Sequence, residues 1–123
     1  MKVLILDDMP DRIGMFALKF VNHDITIVNT APNCIEMLNS FQWDAVFLDH
    51  DLGGEVYCKS DENSGYAVAK FMEEAGIDKQ PKHIILHSLN PAGVKNMQYA
   101  LPRAKTIPFA WIKGVATPIL GVS

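Results

Sequence analysis

The chain has 123 residues, 49% of them hydrophobic and 20% charged, which is enough length and apolar content for one continuous core and sets the expectation of a single domain over residues 1–123. A net charge of −3 argues against bulk nucleic-acid binding, and no apolar run reaches membrane-spanning length, so no membrane partner is expected. Cys34 and Cys58 are too few for a disulfide framework, and with a first strand that begins at once they point to a reduced, cytoplasmic setting.

The elements alternate. Val3 to Leu6 is a compact apolar strand ending on Asp7-Asp8, and Ile13, Phe16, Ala17, Phe20 and Val21 then fall on one helical face. Ile25 to Val28 is a β-branched strand. Thr30 is placed to cap a helix with Pro32 in its first turn, and Ala31, Cys34, Ile35, Leu38 and Phe41 form its stripe. Ala45 to Leu48 is the third strand, short and apolar enough to be covered on both faces, and it delivers Asp49-His50-Asp51 before Gly53-Gly54 turn the chain. The polar stretch to residue 64, with Tyr57 and Lys59, is long for a connection and reads as a lid or as decoration.

Ser64 is placed to cap the next helix, with Ala67, Val68, Phe71, Met72 and Ala75 inward and Gly76 as its stop. Ile84 to Leu86 is a fourth strand ending on His87-Ser88-Leu89-Asn90. Asn90 and Pro91 open a helix whose inward spacing is Val94, Met97 and Leu101. Residues 106–109 give a fifth strand that Pro108 assigns to an edge, and the 110–123 tail has no helical period. Trp43, Trp111 and the methionines Met9, Met15, Met37, Met72 and Met97 read as packing residues, and His23 and His83 as surface ones.

Strands and helices in alternation imply a parallel sheet with right-handed crossovers, a doubly wound α/β fold of order 2-1-3-4-5. In that order strands one, three and four are central neighbours. Asp7-Asp8, Asp49-His50-Asp51 and His87-Ser88-Asn90 then converge on the carboxyl edge, where open α/β sheets bind ligands.

These motifs resemble the receiver domain of two-component signalling, which implies a flavodoxin-like three-layer sandwich, Mg2+ at the acidic pair Asp7-Asp8 and Asp49, and phosphorylation of Asp49. Two features depart from that pattern: the lysine that precedes proline after strand five is absent from Thr106-Ile107-Pro108, and the fifth helix is missing or replaced by a short tail. Asp7-Asp8 with Arg12, Leu48-Asp49-His50-Asp51-Leu52 and His87-Ser88-Leu89-Asn90-Pro91-Ala92-Gly93 resemble more closely the receiver-like family proposed to process cyclic phosphates, often in phages and bacteria. That resemblance implies a site of Asp7, Asp8, Arg12, Asp49, His50, Asp51, His87, Ser88 and Asn90.

Three unpaired carboxylates brought together repel and at least one pKa rises, so a bound cation or Arg12 is expected to join them. Hard oxygen donors favour Mg2+, or Mn2+, at Asp7, Asp8 and Asp49, while helix capping is the plainer role for Asp8 and Asp11. Imidazole titrates near neutrality, with an unperturbed pKa of about 6.5. His50 and His87 flanking one phosphorus would divide the acid and base work of opening a cyclic phosphodiester, with Asp51 orienting one ring. Satisfied strand-end histidines are the alternative. Arg12, Ser88, Asn90 and Gly93 are the candidate phosphate contacts: a guanidinium, a hydroxyl, and a helix start with free N–H groups. The expected function is a hydrolase, a phosphoesterase acting on a small cyclic phosphate on a nucleotide or RNA-derived metabolite. The alternatives are a receiver phosphorylated at Asp49 and a non-catalytic nucleotide- or protein-binding module.

Overall fold

The computed structural model describes residues 1–52, 63–107 and 109. Five strands, β1 (Lys2–Leu6), β2 (Asp24–Val28), β3 (Ala45–Leu48), β4 (His83–Leu86) and β5 (Lys105–Thr106), alternate with four helices, α1 (Pro10–Lys19), α2 (Ala31–Ser40), α3 (Gly65–Ala75) and α4 (Pro91–Ala100). The sheet is parallel in every pairing and its order is β2-β1-β3-β4-β5. This is the expected doubly wound order, with β5 at an edge.

Alternation along the central strands divides the core in two. Leu4, Leu6, Val46, Leu48, Ile84 and Leu86 pack toward α2, α3 and α4, where Cys34, Val68, Met72 and Met97 meet them. Val3, Ile5, Ala45, Phe47 and Ile85 pack on the other face against Phe16 and Phe20. All four residues of β3 are buried, as a strand covered on both faces should be. Burial pushes the Cys34 thiol up to about 12, so it behaves as a small apolar residue.

Local chemistry sets the helix ends. Thr30 Oγ1 accepts the Asn33 N–H at 3.3 Å, and Asn90 Oδ1 accepts the Gly93 N–H at 3.0 Å. Gly76, at φ 90°, ends α3, a conformation that favours glycine.

Several expectations are corrected. Helix α1 ends at Lys19, so Val21 lies beyond it and is 72% exposed, and Ala17 is exposed as well. Phe41 follows α2 in extended backbone and is half exposed. Neither Asp8 nor Asp11 caps α1: Met9 holds the cap position without a side-chain bond, which leaves this methionine exposed rather than in the core. Ser64 occupies the cap position of α3 but makes no capping hydrogen bond there. Strand β5 is Lys105–Thr106 rather than residues 106–109. Trp43 packs as expected, with its Nε1–H on the Met37 carbonyl at 3.0 Å. Tyr57, Cys58, Lys59, Trp111 and the 110–123 tail lie outside the described residues.

Candidate functional site

The register of the three central strands places the candidate residues at one level. Leu6, Leu48 and Leu86 are aligned across β1, β3 and β4. The backbone bonding continues one step further, from the Asp49 N–H to the Leu6 carbonyl (3.1 Å) and from the His87 N–H to the Leu48 carbonyl (3.0 Å). Asp7, Asp49 and His87 therefore arrive side by side, all essentially buried.

Arg12 reaches them from the first turns of α1, which Pro10 starts with its fixed φ. Its Nη2 donates to Asp7 Oδ1 at 3.0 Å and to Asp49 Oδ2 at 2.9 Å, while its Nε lies 2.9 Å from Asp7 Oδ2. The guanidinium thus holds two buried carboxylates together with charge-assisted hydrogen bonds. His87 Nε2 is also 2.9 Å from Asp7 Oδ2. Since a carboxylate only accepts, Nε2 carries the proton in that contact. The imidazole packs edge-on against Phe16, with ring centroids 5.1 Å apart, and tilts against Phe47. Its Nδ1 is buried and has no hydrogen-bond partner among the described residues.

The two carboxylates are tuned apart. Burial pushes the Asp7 carboxyl up, but the His87 hydrogen bond and charge, the Met9 N–H and Arg12 outweigh it and hold it below the usual 3.8. Asp49 is raised from 3.8 to about 6 by burial, with His87 and Arg12 opposing and the Asp7 and Asp51 charges adding to the rise. One carboxylate is thereby fixed as a charge while its neighbour exchanges a proton near neutrality, a division that marks reactive sites.

His50 belongs to a different network. It points to the opposite face of the sheet, where Leu48 and Leu86 also pack, and lies against the start of α4. Its Nδ1 is 3.0 Å from Asp51 Oδ1, which also accepts the Asn90 Nδ2–H at 2.9 Å. Ser88 Oγ accepts the Asn90 N–H at 3.1 Å. A Cβ on Gly93 would fall within 2.6 Å of His50 Cδ2 and Nδ1, so the missing side chain makes room for this imidazole. The two histidines thus make different contacts: His50 meets Asp51, Asn90 and the Gly93 turn of α4, and His87 meets Asp7, Phe16 and Phe47. The helix start is also largely engaged. Pro91 has no N–H, the Gly93 N–H is taken by the Asn90 side chain and the Val94 N–H by the Asn90 carbonyl.

Some contributors carried no clear sequence signal. A Cβ at Gly65 would collide with the Asp49 carbonyl oxygen, so α3 approaches the end of β3 only because this residue is glycine. Its one hint is a glycine at the first position of an otherwise good helix. Phe109 brings its ring to 6.0 Å from Arg12 Cζ, where a basic residue was the feature sought. A groove of about 550 Å³, lined by residues including Phe41, Trp43, Phe71 and Gln80, lies at the amino ends of the strands, away from this chemistry.

Ligand atoms of Asp7, Asp49 and His87 lie within 4.8 Å of one another. Two carboxylates and an imidazole suit a divalent cation, and the nitrogen donor inclines the set toward Mn2+ or another transition ion over Mg2+. Asp8, half-buried beside them, is not in this group.

Solved receiver structures share the architecture. The receiver domain of sensor histidine kinase PA1611 from Pseudomonas aeruginosa, with a magnesium ion in its active-site cleft, is 16% identical over 98% of both chains with a TM-score of 0.70. The response regulator TrrA from Thermotoga maritima, in complex with Mg2+ and BeF, is 20% identical over 88% of this chain and 87% of its own, with a TM-score of 0.65. The Mn2+-bound form of response regulator Rcp1 is 13% identical over 92% of this chain and 89% of its own, at 0.69. These identities establish the fold alone. No curated protein matches the chain. The family model described as "Cyclic-phosphate processing Receiver domain" matches residues 2–103. With this match over most of its length, and with the receiver architecture in every described element, the chain belongs to the cyclic-phosphate processing receiver family.

Proposed function

We propose that the chain is a hydrolase that opens a small cyclic phosphate at the carboxyl edge of β1, β3 and β4. The observation that carries this reading is the buried Asp7–Arg12–Asp49–His87 cluster, in which a fixed carboxylate, a titrating carboxylate and a guanidinium share one point.

In this reading Asp49, with its pKa near 6, is largely ionised at neutral pH and takes a proton from the attacking water. Water oxygen bonds to phosphorus, one ring P–O bond breaks, and the departing alkoxide takes a proton from solvent, leaving a phosphomonoester and a free hydroxyl. Arg12 moves onto the phosphoryl oxygens and stabilises the charge that builds there. His87, held between Phe16 and Phe47, keeps its Nε2–H on Asp7 and so holds that carboxylate in place. Asp7 and Asp49, with His87 once its Nε2 gives up that proton, would hold a divalent cation, which would supply a Lewis acid to the phosphoryl oxygens. His50, Asp51, Ser88, Asn90 and Gly93 shape the neighbouring wall by fixing the start of α4.

The test is a panel of nucleoside 2′,3′-cyclic, 3′,5′-cyclic and smaller cyclic phosphates followed by phosphorus NMR with and without Mn2+. Turnover that disappears in Asp49→Asn and Arg12→Ala supports the reading, and a panel left unopened by the wild type refutes it. A second reading, phosphorylation of Asp49, is favoured by its place at the end of β3 in a receiver fold. Acetyl phosphate with Mg2+ distinguishes the two: a phosphorylated Asp49 in a protein that opens no cyclic phosphate would establish the second.

A further inference from the structure

Resting on the reading of this edge as a phosphate site, we propose that Arg12 is a resident counter-cation which a divalent ion displaces and so delivers to the substrate oxyanion, making metal and oxyanion binding cooperative.

The guanidinium and a metal ion would compete for the same oxygens. Arg12 engages Asp7 and Asp49 through Nη2 and Nε at 2.9–3.0 Å, and these carboxylates supply two of the three clustered ligand atoms. A divalent ion bound to them would face a guanidinium at contact distance, and two cations cannot share that space without strong repulsion. One of the two must leave, and the side chains differ in their freedom to do so. His87 is fully buried, wedged against Phe16 and bonded to Asp7. The Arg12 side chain is 18% exposed while those of Asp7 and Asp49 are 0% and 2% exposed, and its other contact is the face of Phe109 at 6.0 Å. Arg12 therefore has a route toward solvent that the other members lack.

Charge bookkeeping gives the coupling. Without a divalent ion, an incoming oxyanion must draw Arg12 away from two carboxylates that it neutralises only in part. With the ion bound, Asp7 and Asp49 are neutralised and the guanidinium is surplus positive charge at the rim. The oxyanion then binds more tightly, and by linkage it strengthens metal binding by the same factor.

The experiment measures Mn2+ binding to the full chain by electron paramagnetic resonance of free Mn2+, in chloride and in sulfate at constant ionic strength, for wild type and Arg12→Met. Arg12→Met is expected to bind Mn2+ about ten-fold more tightly in chloride, since the competing charge-assisted bonds are gone. Sulfate is expected to tighten Mn2+ binding several-fold in wild type and to leave the variant unchanged. Equal or weaker Mn2+ binding by a folded variant, no effect of sulfate on wild type, or no binding by either protein overturns the proposal. The sulfate comparison in wild type stands even if Arg12→Met does not fold. Because neither measurement uses turnover, a protein that couples Mn2+ to sulfate but opens no cyclic phosphate would refute the hydrolase reading and leave this one intact.

Discussion

Asp49→Asn should make the protein more stable at neutral pH. The wild-type carboxyl is raised from 3.8 to about 6 in the folded protein, so the folded state holds this proton more tightly than the unfolded state. Its contribution to stability is therefore fully present below about pH 4 and is lost as pH rises through 6. By pH 7 the loss is about 3 kcal/mol for a side chain only 2% exposed. Asparagine keeps the shape of the protonated acid and removes the buried charge. Part of the gain is forfeited because an amide has only one oxygen to offer and presents an N–H toward a site already rich in donors, leaving about 2 kcal/mol. For a chain of this size that is a rise in Tm of about 8 °C. Thermal unfolding of both proteins in metal-free buffer at pH 4.5, 6 and 7.5 tests it. The variant should gain most at pH 7.5 and converge with wild type at pH 4.5. A variant less stable than wild type at pH 7.5, or a gain that ignores pH, would show that Arg12 neutralises Asp49 fully and that the site stores no electrostatic strain.

Four further outcomes follow from the same geometry. Gly93→Ala should lose about 2 kcal/mol or more in urea unfolding, because its Cβ would displace the buried His50 ring; Gly65→Ala should lose more, since backbone at Asp49 yields less readily than a side chain, and wild-type stability in the latter would remove the proposed close approach. Asn90→Ala should cost about 1–2 kcal/mol through loss of the α4 cap and of the Asp51 bond, with Asn90→Asp recovering only the cap. In metal-free buffer, cyclic-phosphate turnover should rise with pH through about 6 as Asp49 ionises, and a rate flat from pH 5 to 8 would exclude Asp49 as the base.

Much of the fold was legible because short apolar runs and helical stripes are local signals. Val46-Phe47-Leu48 identifies a central strand without any partner, and alternating elements leave few ways to order the sheet. The strand-end residues Asp7, Asp49 and His87 were legible for the same reason, since the end of an apolar run fixes where the next polar side chain appears. The face to which His50 points was not. It depends on how the chain leaves β3 and on the room Gly93 provides at α4, and a list of strand ends treats both histidines alike. Arg12 was legible as a counter-charge for these carboxylates, as its bonds to Asp7 and Asp49 bear out, while its span across both at once depends on side-chain reach. Val21 and Phe41 failed because helical spacing continues in sequence after the helix has stopped.

The tie between β3 and α3 has a consequence for how this protein can change. The Gly65 N–H bonds to the His50 carbonyl at 3.1 Å, and Asn63 Oδ1 accepts the Ala31 N–H at 3.1 Å, so the chain departs from the sheet and returns to nearly the same point. Closure entropy grows only slowly with the length between two such anchors. A change of length between Leu52 and Asn63 therefore adds little to the entropy of closing this connection. The two anchors thus make the length of this connection a variable that the sheet and its charge centre tolerate.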